Sequence, residues 1–275
     1  MRKLKDLSKL EVSEILHKRS IGIFEKDIIK YYSISQRQYY NLLKDNGIER
    51  KHKSRKYNFN ENYFEVIDTE DKAYFLGFIV ADGCVSSISN SFSITQKEPH
   101  ILYEFKKYIE YSGGVFSSKR RDICSISMSS EKTINDLSNL GILPGKTFDV
   151  KFPNILKSLE SHFMRGVFDG DGCISIHHDK RDNSDRGQVN ICSASYEFIN
   201  VYVDKLVAYC GVKKNNIRCP KGTYYVIDWG GLSDVEKIYE FLYKDATIFL
   251  KRKKETFDRV ISINKNKIKY RKSCP

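Results

Sequence analysis

The sequence has no long run of apolar residues, since no stretch approaches the roughly 20 residues that a membrane-spanning helix requires. The amino terminus, Met1-Arg2-Lys3-Leu4-Lys5, lacks the apolar region of a signal peptide. The seven cysteines are scattered, odd in number and without a Cys-x-x-Cys pair, which favours reduced core or surface thiols. These absences predict an intracellular, cytoplasmic protein without a membrane partner, and they leave an organellar origin open.

Acidic residues are fewer than basic residues in this sequence. The 35 Asp and Glu residues are outnumbered by 47 Lys and Arg, which gives a net charge of +12 at pH 7. A basic excess of this size favours a polyanionic partner, nucleic acid before membrane. Apolar residues make up 40% of the 275 positions and aromatic residues 13%, which supports a real core. The length allows two domains, or one pseudo-symmetric body with a small additional module.

The chain carries one apolar stretch twice. The copies are Phe75-Leu76-Gly77-Phe78-Ile79-Val80-Ala81-Asp82-Gly83 and Met164-Arg165-Gly166-Val167-Phe168-Asp169-Gly170-Asp171-Gly172. Corresponding residues are 89 positions apart, and such a repeat predicts two copies of one structural unit. Each copy is long enough for about three helical turns. Each also places two small residues four positions apart, on one helix face, so the two helices are predicted to pack against each other there.

Asp82 and Asp171 follow these small residues and are predicted to lie at the C-termini of the two helices. The helix dipole disfavours a carboxylate there, and two carboxylates brought together by the packing repel each other. An unfavourable placement of an acid that recurs at the ends of both helices indicates a functional site. A divalent cation with oxygen ligands would offset both penalties, and the predicted metal site comprises Asp82, Asp171, Ala81 and Gly170.

Two copies of Gly-x-x-x-(Ala/Gly)-Asp-Gly, each followed by strand-like sequence, resemble the motif of the LAGLIDADG (dodecapeptide) homing endonucleases in their single-chain, two-repeat form. The resemblance covers about residues 60 to 262. It implies an α+β fold in which two pseudo-symmetric α-β-β-α-β-β-α repeats form a saddle on double-stranded DNA. It also implies a monomer that cleaves both strands at a long asymmetric site with Mg²⁺ or Mn²⁺, as in intron homing.

The resemblance implies further catalytic residues, because each half of such an enzyme carries an assisting lysine and a polar residue at a strand end. Lys146 resembles the first-half lysine, and Lys251 or Lys253 resembles its second-half counterpart. Gln96 matches the polar position, which is Ser193 in the second half.

Three other residues near the motifs are interpreted as non-ligands. Val80 replaces the first acid of the motif, whereas the second copy keeps Asp169. Because this position varies, Asp169 is predicted to be a helix-end residue. His177 and His178 have no matched Cys or His partners in the sequence. Both are therefore predicted to lie at the surface or on the face towards DNA.

The flanking sequences predict a helix, two strands, a helix, two strands and a helix in each half, with the first repeat over 57–155 and the second over 156–275. Alternating apolar residues predict strands at 85–88, 92–96, 115–119 and 123–128, and again at 174–178, 189–193, 217–219 and 224–229. Tyr196-Glu197-Phe198 matches Tyr103-Glu104-Phe105 at a spacing of 93, which predicts four extra residues in the turn 179–187. Ser233 with Glu236 predicts the capping box of a later helix.

Residues 1–56 are predicted to form a helix-turn-helix-like module that ends in a basic linker. Ser35 forms a predicted capping box with Gln38, and Gly47 ends the helix that follows. The residues of this helix predicted to face base edges are Gln36, Arg37, Gln38 and Asn41. The linker residues predicted to contact phosphates are Lys51, Lys53, Arg55 and Lys56. The alternative is a structural helical hairpin followed by a solvated charge run.

Polar strand and turn residues are predicted to lie on the DNA face of the saddle, although the choice depends on strand register. They are Ser86, Ser93, Thr95, Lys119, Arg120, Arg121, His177, Asn190, Arg218 and Lys221. The alternative is an exposed sheet that is simply polar on its outer side.

Two other functions remain open at this stage. One is a non-cleaving transcriptional regulator built on a LAGLIDADG body and a helix-turn-helix; the retention of Asp82 and Asp171 favours cleavage over this alternative. The other is an intron maturase that binds intron RNA, since a basic saddle could serve structured RNA as well. The chain shows neither the Cys or Ser start nor the His-Asn end of an intein, which favours a free-standing enzyme.

Overall fold

The structure is a computed structural model that describes residues 6–48, apart from 22 and 24, and residues 56–143, 150–180 and 184–273. The predicted functional positions Lys51, Lys53, Arg55 and Lys146 lie outside these residues. The chain divides into two compact units, residues 1–56 and residues 57–275. Within the described ranges, none of the helices is long and apolar enough to cross a membrane.

The unit of residues 1–56 is helical where it is described. Its helices are α1 (Lys9–Ser20), α2 (Glu25–Tyr31) and α3 (Gln36–Asp45). The side chain of Ser35 accepts a hydrogen bond from Gln38 N, and Ser35 N donates to Gln38 Oε1, so the predicted capping box is confirmed. Ile15, Ile28 and Leu43, one from each helix, are buried in the apolar core of this unit.

The first half of the larger unit combines helices with one sheet. Its elements are α4 (Glu70–Asp82), β1 (Gly83–Ser86), β2 (Ser91–Gln96), α5 (Pro99–Tyr108), β3 (Phe116–Ser118), β4 (Ile123–Ser129) and α6 (Glu131–Asn139). The antiparallel strands lie in the order β1-β2-β4-β3. In β2, Phe92 and Ile94 are buried, whereas Ser93 and Thr95 point to the other face. This alternation leaves one face of the sheet on the core and one face open.

The second half follows the same order with a smaller sheet. Its elements are α7 (Glu160–Asp171), β5 (Gly172–Asp179), β6 (Ser184–Ser193), α8 (Tyr196–Cys210), β7 (Tyr225–Trp229), α9 (Leu232–Tyr243) and α10 (Lys251–Ser273). The sheet order is β5-β6-β7. The strand predicted at 217–219 is reduced to a bridge between Arg218 and Val226. The α+β class is confirmed, but the described part of this half has one strand fewer than predicted.

The hairpin of β5 and β6 is longer than predicted. Gly83 pairs with Ile94, 11 residues along the chain, whereas Gly172 pairs with Ile191, 19 residues along, so the second hairpin has eight extra residues. Helices α5 and α8 each begin three residues after the preceding strand ends. The predicted match of 196–198 with 103–105 is therefore wrong. A shared Tyr-Glu-Phe triplet does not fix the alignment of the two halves, because the hydrogen bonds between the strands set the register.

Helix α9 begins earlier than predicted. Its N-cap is Gly231, and no side chain caps its first turn, so the predicted capping box of Ser233 with Glu236 is wrong. Both residues lie inside the helix, whose apolar face packs with Val235 and Ile238 buried. Core packing thus overrides a local capping signal here.

The basic tail forms helix α10, which the sequence pattern did not predict. Lys253, Phe257 and Val260 are buried along one helix face. A Cβ added to Gly187 of β6 would lie 2.1 Å from Val260 Cγ1, so α10 packs directly on the second sheet. This packing carries Lys253 to the end of α7.

Candidate active site

Two glycines bring the motif helices α4 and α7 into backbone contact. A Cβ added to Gly77 would lie 2.1 Å from the Phe163 carbonyl oxygen, and one added to Gly166 would lie 2.0 Å from the Tyr74 carbonyl oxygen. A side chain does not fit at either position, so the crossing requires glycine. The predicted packing of the two copies through their small residues is confirmed.

The crossing places the two acids at neighbouring helix ends. Helix α4 ends at Asp82 and helix α7 ends at Asp171. A Cβ added to Gly170 would lie 3.0 Å from Asp82 Oδ2, so the Asp82 carboxylate lies against the last turn of α7. Both acids are partly exposed. Two carboxylates therefore stand close together where solvent can reach them.

A glutamine on the neighbouring strand holds Asp82. Gln96 lies at the end of β2, and its Nε2 donates a hydrogen bond to Asp82 Oδ2. Gln96 therefore lies beside the first acid, and its assisting role in catalysis stays a prediction. In the second half, Ser193 ends β6, and its Oγ accepts a hydrogen bond from Ser195 N at 3.1 Å.

Lys253, rather than Lys251, reaches the motif helix. Lys251 is exposed, whereas the Lys253 side chain is only 3% exposed. Lys253 Nζ donates to the carbonyl oxygens of Phe168 and Gly172, each at 2.6 Å, and to that of Gly170 at 3.3 Å. Burial lowers the pKa of Lys253, and the nearby carboxylates of Asp169 and Asp82 oppose that shift.

The ammonium group of Lys253 therefore lies at the C-terminus of α7, the helix that ends at Asp171. A positive charge at this end of a helix interacts favourably with the helix dipole. It also satisfies carbonyl groups that the end of a helix leaves without intrahelical donors. The contact of Lys253 with the end of α7 therefore offsets part of the unfavourable interaction between the helix dipole and an acid at this end of the helix.

Asp169 occupies a different environment from the acid pair. Its carboxylate is buried and accepts hydrogen bonds from Tyr74 OH at 2.8 Å, Tyr243 OH at 2.6 Å and Leu250 N at 2.8 Å. Burial raises the pKa of Asp169, and these hydrogen bonds oppose the shift. Asp169 thus links α4, α7, α9 and the residue before α10, which the motif comparison alone does not indicate.

A second buried contact that sequence reasoning missed joins the two halves. Arg165 is buried in α7 and donates to Glu70 Oε1 at 2.6 Å and to the Ile248 carbonyl oxygen at 2.9 Å. Glu70 also accepts a hydrogen bond from Thr247 N at 2.8 Å. The start of α4 is therefore tied to the segment that leads into α10. A buried arginine within an apolar motif was the available sequence signal, since such residues are almost always paired.

A cleft of about 290 Å³ opens beside the second acid. Asp171, Ser193 and Tyr224 line it together with apolar residues of both halves. Cys192, also in its wall, donates its thiol hydrogen to the Asp171 carbonyl oxygen at 3.4 Å. The cleft therefore borders the position that corresponds to Gln96.

Strand register shows which predicted saddle residues lie on the open faces. Ser86 and Ser93 lie opposite the buried side of the first sheet, as does the exposed Thr95. Asn190 has the same place in the second sheet, because its neighbours Val189 and Ile191 are buried. The exposed residues among the remaining predicted positions are Lys119, Arg120, Arg121, His177, Arg218 and Lys221.

Two surface side chains of the second half, Arg218 and His178, have acidic partners. Arg218 Nη2 lies 2.6 Å from Asp228 Oδ2, and His178 Nδ1 lies 2.9 Å from Asp185 Oδ1. Within the described ranges, no cluster of three or more His, Cys, Asp or Glu side chains is arranged to hold a metal ion. His177 and His178 of β5 are exposed at the surface of the hairpin.

The predicted base-reading residues of α3 are in two environments. Gln36, Arg37 and Asn41 are exposed. The Oε1 atom of Gln38 accepts a hydrogen bond from Ser35 N at 2.7 Å, so this oxygen caps the helix. Of the linker residues predicted to contact phosphates, Lys56 is described, and it is exposed.

Comparison with known proteins agrees with this geometry. The sequence model of the LAGLIDADG-like domain family matches residues 69–140, which include the first motif. The structure is similar to that of the LAGLIDADG meganuclease I-CpaMI bound to uncleaved DNA, with a TM-score of 0.51 and 16% identity over 73% of this chain and 93% of that chain. It is also similar to the meganuclease I-SmaMI bound to uncleavable DNA, with a TM-score of 0.51 and 14% identity over 74% and 92% of the two chains.

The chain therefore carries a LAGLIDADG-like domain and has the fold of the LAGLIDADG meganucleases, and the resemblance predicted from the motif is confirmed. One curated relative is 25% identical over 210 residues, the probable translation initiation factor IF-2 of Methanocaldococcus jannaschii. That match covers 72% of this chain but spans only 16% of the length of the relative.

Proposed function

We propose that the protein is a site-specific endonuclease that hydrolyses both strands of duplex DNA with a divalent metal ion, Mg²⁺ or Mn²⁺. The observation that carries this proposal is the pair Asp82 and Asp171, which meet at the ends of two helices that cross through glycines. Each acid belongs to one half of the larger unit. One acid per half suits one cut per strand.

The donor atoms at the acid pair fit a hard divalent cation. The ligands would be carboxylate oxygens of Asp82 and Asp171, with Ala81 and Gly170 contributing backbone oxygens, and oxygen is the ligand type that Mg²⁺ prefers. Such an ion, when bound, supplies activation of water and stabilisation of the negative charge that develops on phosphate.

The residues of the chain itself orient and support the acids. Gln96 fixes the Asp82 carboxylate through a hydrogen bond to Oδ2. Lys253 has its three donors directed at carbonyl oxygens, so it stabilises the end of α7 and does not supply a proton in this state. Lys146 stands as the proposed first-half lysine on the strength of the sequence resemblance.

DNA would bind along the open faces of the two sheets. Strand ribbons fit the major groove, and the polar residues of these faces can contact base edges or phosphates. The two halves differ in sequence and in hairpin length, so the target should be long and asymmetric. The helical unit of residues 1–56, with exposed Gln36, Arg37 and Asn41 on its capped helix, would bind flanking DNA.

A selection for cleaved DNA tests the proposal. Purified protein is incubated with a library of random duplexes and Mg²⁺, and the cut ends are sequenced. Enrichment of one long, asymmetric sequence with a staggered cut is expected, and chelation of the metal should abolish it. Tight, sequence-specific binding without cleavage would instead support a transcriptional regulator, and stronger binding to structured RNA than to any duplex would support a maturase.

A further inference from the structure

The open face of the first sheet carries short or apolar side chains. Among the described residues of β1–β4 on this face, none is charged and none has an amide group. Cations occur instead in the turn after β3, at Lys119, Arg120 and Arg121. A hydroxyl on a short side chain discriminates poorly between bases, because it can donate or accept, whereas cations suit phosphates. The residues with a hydroxyl on this face include Ser86, Ser91, Ser93, Thr95, Ser125 and Ser127.

The open face of the second sheet carries long polar side chains. Arg218 belongs to this face, because its backbone bridges to Val226, which pairs with Cys192 two residues along β6 from Asn190. Side chains of this length and type can reach base edges in the major groove. The strand residues of this face include His177, Arg186, Gln188, Asn190 and Asp228.

Asp228 holds two of these side chains in fixed orientations. Its Oδ1 accepts a hydrogen bond from Gln188 Nε2 at 2.8 Å, and its Oδ2 accepts one from Arg218 Nη2 at 2.6 Å. An ionised carboxylate only accepts hydrogen bonds, so the amide nitrogen of Gln188 must face it and the amide oxygen points the other way. A carboxylate on a face that binds DNA is electrostatically unfavourable, so its presence there indicates a positioning role.

We propose that Asp228 is a positioning residue for base recognition, and that the half of the target on the second sheet is read by sequence whereas the half on the first sheet is held mainly through its phosphates. This inference rests on the proposed binding of duplex DNA along the open faces of the sheets. Because Asp228 orients them beforehand, Gln188 and Arg218 do not have to be ordered when DNA binds.

The two oriented side chains suit particular bases. The amide oxygen of Gln188 suits a donor on a base edge, which is N6 of adenine or N4 of cytosine in the major groove. The guanidinium of Arg218 has five N–H donors, and the bond to Asp228 Oδ2 uses one of them. The others suit O6 and N7 of guanine.

A binding profile tests the inference separately from cleavage. The full-length protein selects its preferred duplex from a random library in Ca²⁺, and each base pair of that duplex is then replaced in turn. The affinity of the wild type, measured at one salt concentration, should fall by on the order of tenfold for replacements on one side of the centre and much less on the other. Cleavage of the same duplex is measured with Mg²⁺.

Asp228→Asn keeps the shape of the side chain but removes the charge that orients Gln188 and Arg218. Discrimination at the base pairs that these two side chains read should fall by on the order of tenfold. Affinity for unrelated DNA should stay the same or rise, because a negative charge is lost from the DNA face. Arg218→Ala should remove the preference for guanine at one base pair. A residue with only a structural role would lower the affinity for all duplexes alike.

Ser127→Ala is the matched change in the first sheet. Ser127 pairs with Ser93 as Asp228 pairs with Asn190, and each partner lies one residue before the strand residue opposite the motif glycine. Discrimination between bases should not change at any position in this variant. A change as large as that of Asp228→Asn would show that the first sheet reads bases as well, and would overturn the inference.

The remaining outcomes separate the inference from the endonuclease. Equal discrimination on both sides of the target, or loss of affinity for every duplex in Asp228→Asn, would overturn the inference even if the protein cleaves DNA. A protein that discriminates as expected but does not cleave would overturn the endonuclease and leave the inference standing. Absence of any preferred duplex would overturn both. Melting curves accompany the variants; if Asp228→Asn does not fold, the wild-type profile and Arg218→Ala still decide.

Discussion

At the residue scale, Asp82 and Asp171 should tolerate loss of charge in every respect except cleavage. Asn at either position keeps the shape of the side chain but removes the charge that holds a divalent cation, so double-strand cleavage should be abolished with DNA binding largely intact. The substitution also relieves repulsion between neighbouring acids, so the melting temperature should stay the same or rise. Melting curves, Ca²⁺-supported binding and Mg²⁺-supported cleavage of each variant measure these effects.

Asp169→Asn is the matched control for the acid pair. Asp169 is buried and accepts three hydrogen bonds, so an amide there would direct an N–H group towards a donor. We expect the free energy of unfolding to fall by roughly 1–3 kcal/mol. Full cleavage by Asp82→Asn or Asp171→Asn would refute the assignment of the pair, and a large loss of stability in either would make the pair structural.

Lys253 and Lys251 allow a second comparison between a buried and an exposed side chain. Lys253→Met keeps most of the apolar stem but removes the cation and the donors that satisfy the end of α7. The free energy of unfolding in urea should fall by about 2 kcal/mol. Lys251→Met should change it by less than about 0.5 kcal/mol. Equal effects of the two substitutions would show that Lys253 does not stabilise α7.

At the scale of elements, the crossing of α4 and α7 depends on its glycines. Gly77→Ala or Gly166→Ala would place a methyl group on a backbone carbonyl of the other helix. The helices must then separate, so the free energy of unfolding should fall by about 3 kcal/mol, and cleavage should decrease because the acids move apart. Gly114→Ala is the control, since nothing lies within 4 Å of an added Cβ. Wild-type stability of both helix variants would contradict this packing.

At the scale of the whole molecule, the unit of residues 1–56 should contribute affinity and flanking specificity without chemistry. Its deletion should weaken DNA binding and reduce the dependence of the affinity on salt concentration, because fewer phosphates are neutralised. The position of the cut should not change. Binding isotherms over a salt series, with sequencing of the cut ends, test the prediction. A truncated protein that binds as tightly as the full chain, or cuts elsewhere, would contradict it.

The sequence by itself determined the repeat, the pairing of its small residues and the position of the acids Asp82 and Asp171. These are properties of consecutive residues, because helical spacing converts a four-residue interval into a shared face. The capping box at Ser35 is local in the same sense, since all of its donors and acceptors lie within one turn.

Only the tertiary structure showed that Lys253, and not Lys251, contacts the end of α7, and it set the length of the second hairpin and the start of α9. Each depends on groups far apart in the chain: Lys253 reaches carbonyls of α7, and the pairing of Gly172 with Ile191 sets the hairpin. The strand predicted at 217–219 likewise depended on cross-strand partners that the folded chain provides only at Arg218. Burial and the hydrogen bonds between strands outweigh local propensity at such positions, because they contribute more free energy than the local interactions of a single helix cap.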